Sequence, residues 1–120
     1  MSIYIPTNQK VMQHKISLPQ LKKYDITQKV IMALADAESR VILFSIIRKG
    51  KTASDLSVSL KIPLSSVYKK LSDLENLTLV RVEKTILSEK GRRFKIYRSR
   101  INKAEISIKK PEPTLSLSAN

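Results

Sequence analysis

Cysteine is absent from this 120-residue chain. Disulfides and thiolate metal sites are therefore excluded. Histidine occurs once, at His14, and one imidazole cannot build a zinc site. Glycine occurs only twice, so neither a paired-glycine nucleotide fingerprint nor a phosphate loop is present. Tryptophan is missing, and no basic amphipathic helix carries the bulky aromatics of a membrane-surface anchor. The longest apolar run, VILFSII from Val41 to Ile47, is far short of the ~20 residues of a membrane span. The opening MSIYIPTNQK lacks a basic start followed by a long apolar segment, so no secretory signal is expected. Acidic side chains are scarce, and Asp36 and Asp55 read as helix caps rather than catalytic carboxylates. With no nucleophile beside a plausible base, the chain reads as no enzyme, with no cofactor and no metal.

What is present is positive charge. Twenty-three Lys and Arg stand against ten Asp and Glu, a net charge of +13, with a pI near 10.2. A field of that size points to an anionic partner, nucleic acid first and an anionic membrane surface second. At 42% hydrophobic residues the chain can still build one globular core. The expected location is the cytoplasm, with the nucleoid.

Residues 1–26 read as an N-terminal arm. SIYIP suggests a short edge strand stopped by Pro6, and the signals around Pro19 are mixed. From Thr27, a candidate N-cap, Val30, Ile31 and Leu34 share one helical face. Asp36 caps a second helix, AESRVILFSIIRK, with acids at its start, Arg48 and Lys49 at its end and Gly50 at the expected left-handed stop. Its broad apolar face makes it the expected central helix. A third helix begins at Thr52, with Asp55 three residues on as a variant capping box, and Ala53, Leu56 and Leu60 pointing one way. After a turn at Lys61 and Ile62, Pro63 opens a fourth helix to about Asn76 with Leu64, Val67, Leu71 and Leu74 inward. LVRVEKTIL and FKIYRSRI then alternate as strands around SEKGRR, a β-hairpin. AEISIKK reads as one more strand and PEPTLSLSAN as a flexible tail, so residues 102–120 form a third segment after the domain at 27–101.

Helix, tight turn, helix and a basic-tipped hairpin is the order of a winged helix-turn-helix domain, an α+β fold with three to four helices before the hairpin. Helix 63–76 is then the element for the major groove. Opposite its apolar stripe lie Ser65, Ser66 and Lys69, the expected base-facing residues, followed by Ser72 and Asn76. Tyr68 and Lys70 flank that face as expected backbone contacts. Thr52, at the start of the bracing helix, is a third, because free amides there attract a phosphate. Residues 88–94 form the expected wing, with Lys90, Arg92 and Arg93 directed at phosphates or a minor groove. The bland alternatives are serines that cap, lysines that solvate a helix, and a charged tip that keeps a sheet edge soluble. Arg98 and Arg100 read either as phosphate contacts or as an exposed strand face.

The segment KVIMALADAESRVILFSII resembles the opening of ArsR-like winged-helix repressors, through Ala33, Leu34, Ala35, Asp36, Arg40, Ile42 and Leu43. TASDLSVSLKIPLSSVYKKLSDLENLTLV is similar to that family's helix-turn-helix, and EKGRRFKIYRS to its wing. The resemblance spans about residues 29–101. It implies a double-stranded DNA-binding transcriptional regulator acting as a homodimer on a near-palindromic site. The family prefers glycine where this chain has Lys61 and Thr78, so both positions are expected to be strained if the turns are kept. The family's metal-binding cysteine pairs are absent. Its members commonly end in a long dimer helix, which leaves dimerisation here to helix 27–35, the arm or the extra strand. Two other functions compete with this reading. One is a non-specific nucleoid or architectural DNA-binding protein; the other is a winged-helix protein-interaction module of a transcription complex.

Overall fold

The computed structural model describes residues 18–120, with side chains from residue 26 onward. The SIYIP strand and His14 lie outside the described residues. Four helices, α1 (Leu18–Ala35), α2 (Ala37–Ser45), α3 (Ala53–Leu60) and α4 (Leu64–Asn76), precede four strands, β1 (Val80–Leu87), β2 (Arg93–Ser99), β3 (Ile101–Ser107) and β4 (Thr114–Ala119). The class is α+β, as expected. The strands form two antiparallel hairpins, β1–β2 and β3–β4.

Three expected boundaries are corrected. Residues 18–26, assigned to the arm, are helical, and Thr27 lies inside α1 rather than capping it. Pro19 explains this: in the first turn its missing N–H forfeits nothing, and its fixed φ suits a helix start. The tail is also structured, because Thr114–Ala119 pairs along β3 from Ser107↔Thr114 to Ile101↔Ala119. Finally, α2 stops at Ser45 instead of running to Arg48 and Lys49.

The early stop of α2 follows from what the next residues must do. Lys51 and Tyr97 exchange two backbone hydrogen bonds of 3.1 and 2.9 Å, so the chain has to run extended along β2 by then. The carbonyls freed at the end of α2 find partners there. Ile46 accepts from the Ser99 amide at 3.0 Å, and Ile47 accepts from Arg98 Nε at 2.9 Å and Asn120 Nδ2 at 2.8 Å. Gly50 serves close approach rather than a left-handed stop, since its φ is not positive. A Cβ there would sit 2.6 Å from Ile96 Cγ2 and 2.8 Å from Glu83 Oε1.

The capping predictions hold at α2 and α3. Asp36 accepts from the Ser39 amide at 2.9 Å. Thr52 Oγ1 accepts from the Asp55 amide at 3.1 Å, and Asp55 answers the Thr52 amide at 3.5 Å. Arg40 donates to the Leu34 and Ala35 carbonyls at 2.7 and 3.0 Å, which closes the C-terminus of α1.

Lys61 and Thr78 are both left-handed, with φ of 56° and 61°. After α4 the Leu79 amide donates to Leu74 O and the Thr78 amide to Glu75 O, both at 2.9 Å. This pair of bonds is the Schellman stop, which glycine ordinarily serves. The helix-ending geometry is therefore kept, and two residues with Cβ atoms carry the strain.

The core is one cluster. Val30 and Leu34 of α1 meet Ile42, Leu43 and Ile46, then Leu56, Ile62, Val67, Leu71 and Leu74, then Leu79, Val80, Tyr97 and Ile101. Leu64 departs from the expected inward stripe and is 40% exposed, because it sits in the first turn of α4 beyond the reach of the core. In the first hairpin the register shifts between Val82 and Lys84. That bulge frees Glu83 to accept from Arg98 Nη1 at 2.7 Å. The buried Ser99 donates through Oγ to Ile101 O and accepts from the Ile101 amide, which turns the chain from β2 into β3.

Candidate nucleic-acid interface

α4 divides sharply. Val67, Leu71 and Leu74 are fully buried, which fixes the helix against the core. Ser65, Lys69, Ser72 and Asn76 are exposed on the other side, and Ser66 is half-buried. The predicted base-facing residues thus lie together on one open face. Lys69 pairs with Asp73 one turn on, at 3.7 Å with both side chains largely in water. A pair so exposed holds the lysine only weakly and leaves its ammonium available.

Lys70, expected as a backbone contact, is engaged within the fold. Its Nζ lies 2.7 Å from Asp36 Oδ2 and 3.7 Å from Glu38 Oε1, with the side chain 23% exposed. The hydrogen bond from Lys70, followed by those from the Ser39 hydroxyl and amide, holds the Asp36 carboxyl down at about 2. The Lys70 ammonium is raised in turn, chiefly by Asp36. Lys70 therefore ties α4 to the α1–α2 corner. The helical wheel places it at an edge, and only the fold brings Asp36 to that edge.

The remaining predicted contacts fall into two groups. Thr52, Tyr68 and Arg93 come together around a cleft of about 250 Å³, with Ser54 and Lys95 also on its walls. Tyr68 is half-exposed and offers its hydroxyl. Burial, then the nearby Glu75 and Tyr68, raises the Tyr97 hydroxyl that also lines this cleft. Lys95 was missed in sequence reasoning, although two-residue spacing from Arg93 puts it on the same face of β2. Lys90 and Arg92 flank Gly91 at the hairpin tip, where Gly91 has a φ of 78°. The tip is closed by Ser88, whose carbonyl accepts from the Gly91 amide at 2.9 Å and whose hydroxyl accepts from the Arg92 amide at 3.0 Å. Lys90, Arg92 and Arg93 are exposed, and no carboxylate among the described residues pairs with them. Arg98 is different: from β2 its bonds to Ile47 O and to Glu83 of β1 clamp the segment after α2 to the hairpin.

The exposed face of α4 is also one wall of a broad open groove of about 1090 Å³. Ile26 and Met32 of α1 line the other wall and are 57% and 64% exposed. Sequence reasoning left Ile26 in the arm and read Met32 only as part of a helix whose inward face was Val30, Ile31 and Leu34, so this wall was missed. Among the described residues no three His, Cys, Asp or Glu side chains gather as a metal site, and no helix is long and apolar enough to cross a membrane. The chain matches no protein-family model, no curated protein and no solved structure.

Proposed function

We propose that the chain is a sequence-specific double-stranded DNA-binding transcriptional regulator built as a winged helix-turn-helix, in the manner of the ArsR-like repressors it resembles. It acts on cytoplasmic, nucleoid DNA as a homodimer. α4 enters the major groove, with Ser65, Ser66 and Lys69 toward base edges. Short hydroxyls allow the helix backbone close to the bases, and lysine donates to guanine O6 and N7. Thr52, Tyr68 and Arg93 hold a phosphate run beside the groove, and Lys90 and Arg92 follow the backbone or an adjacent minor groove. Lys70 takes no part in DNA binding because its charge is already committed to Asp36.

One observation carries this reading. The exposed face of α4 presents Ser65, Lys69, Ser72 and Asn76 while Val67, Leu71 and Leu74 fix the opposite face in the core. A +13 charge alone would serve an architectural protein equally well. Asp73 on the same helix argues against that alternative, because it repels phosphates and adds nothing to a purely electrostatic binder. Selection from a random duplex pool at physiological salt tests the proposal. Enrichment of a near-palindromic site is expected; binding without enrichment would favour the architectural protein.

The groove between α1 and α4 favours a second reading, a protein-interaction module. Its apolar wall of Ile26 and Met32 suits a partner helix better than a phosphate backbone. Failure to bind any duplex even at low salt would bring that reading forward.

A further inference from the structure

The second hairpin leaves a surface that the DNA reading does not use. A two-stranded hairpin is marginal by itself in water and needs further strands or packing. Here Ile101, at the start of β3, belongs to the core, and beyond it only Ala104 and Leu115 pack against that core. Ala104 is opposite Leu117 and Ile106 opposite Leu115, so these four side chains share one face. Ile106 and Leu117 remain 42% and 40% exposed on it.

The two edges of this hairpin differ. Neither β3 nor β4 has a further strand partner among the described residues. β3 carries Asn102, Lys103 and Glu105, and its register shifts between Ile101 and Lys103. Charges and bulges are the devices that keep an edge strand from pairing. β4, TLSLSA, has none of them. Among the eight described elements it alone lacks a charged side chain.

Charge also selects the occupant. Two copies of a chain at +13 repel one another, which favours contact through a surface that brings no charge of its own. A strand paired antiparallel with its own copy is self-complementary, as a two-fold axis requires. β4 meets both conditions. We propose that two copies of the chain associate by antiparallel pairing of β4 with β4 of the partner. The product is a four-stranded sheet in the order β3–β4–β4–β3, with the Ile106 and Leu117 faces continuous across the axis. The inference takes from the proposed function only its two-fold assembly, and its test contains no DNA, so the two can fail separately.

Sedimentation equilibrium of the full chain at physiological salt is the first measurement. The expected species has twice the 13.6 kDa chain mass. Ser116→Lys adds a charge to an exposed position in the middle of β4, where the fold tolerates it, and should return the single-chain mass with an unchanged circular dichroism spectrum. Because the chain has no cysteine, Ser116→Cys gives a unique reporter. Mild oxidation should convert it to a covalent dimer, whereas Met32→Cys on α1 should not cross-link. A single-chain mass for the unaltered protein overturns the proposal. So does a dimer that survives Ser116→Lys, or one that cross-links through residue 32 and not residue 116.

Discussion

Thr78→Gly should stabilise the protein, which is an unusual expectation for a glycine substitution. Thr78 is held at a φ of 61° by the two backbone bonds that close α4. For a residue with a Cβ the left-handed region costs about 1–2 kcal/mol, and a β-branched residue lies at the high end. Glycine removes that strain but gives back about 0.5–1 kcal/mol through the greater freedom of its unfolded chain. The hydrogen bond from Thr78 Oγ1 to Leu77 O is exposed, so its loss weighs little. The net gain is about 0.5–1 kcal/mol, or a rise in Tm of about 2–5 °C for a domain of this size. Urea denaturation followed by circular dichroism measures it, with Thr78→Ala as the control. Alanine keeps the Cβ and recovers only a small part. A Thr78→Gly protein no more stable than Thr78→Ala would refute the reasoning, because the strain assigned to the turn would not exist. Lys61→Gly should behave in the same way at the turn before α4.

The Asp36 carboxyl lies near 2 in the folded chain, below its ordinary 3.8, because Lys70 and Ser39 hold its charged form. Its stabilisation is therefore complete above about pH 4 and is lost as the pH falls toward 2. With the side chain 43% exposed, solvent screening reduces the effect to about 1 kcal/mol. Asp36→Asn keeps a competent helix cap but should flatten stability against pH across that interval. Gly50→Ala should destabilise by about 1–3 kcal/mol in thermal unfolding, since its Cβ meets Ile96, Glu83 and the Tyr97 carbonyl. Replacing Lys90, Arg92 and Arg93 together by alanine should weaken specific and scrambled duplexes alike. The slope of log affinity against log salt should shrink by about 1 for each phosphate these side chains neutralise.

The helices of the core were legible because their signals are local. The Thr52–Asp55 box, the Asp36 cap, the stripe of Val67, Leu71 and Leu74 and the alternation of β1 and β2 all depend on residues a few positions apart. The strain at Lys61 and Thr78 was legible too, since a turn that favours glycine either keeps its geometry or abandons it. What was missed depends on distant partners. The end of α2 is set by Lys51 reaching Tyr97 and by Ser99, Arg98 and Asn120 taking its carbonyls. The role of Lys70 is set by Asp36, thirty-four positions away. β4 looked like a tail because a short serine-rich segment after two prolines has the composition of one, and only its register with β3 makes it a strand.

The central claim is that the outward face of α4 reads bases rather than merely attracting phosphate. Fluorescence anisotropy at fixed physiological salt tests it most directly. It compares the selected duplex with a scrambled duplex of equal length for the unaltered chain, Ser66→Ala and Lys69→Ala. The account predicts that each variant binds the selected duplex more weakly by about 1–3 kcal/mol for every well-formed bond to a base edge that it abolishes. On the scrambled duplex Ser66→Ala should change little, and Lys69→Ala should weaken binding less than it does on the selected one. Equal weakening on both duplexes for both variants would contradict the account.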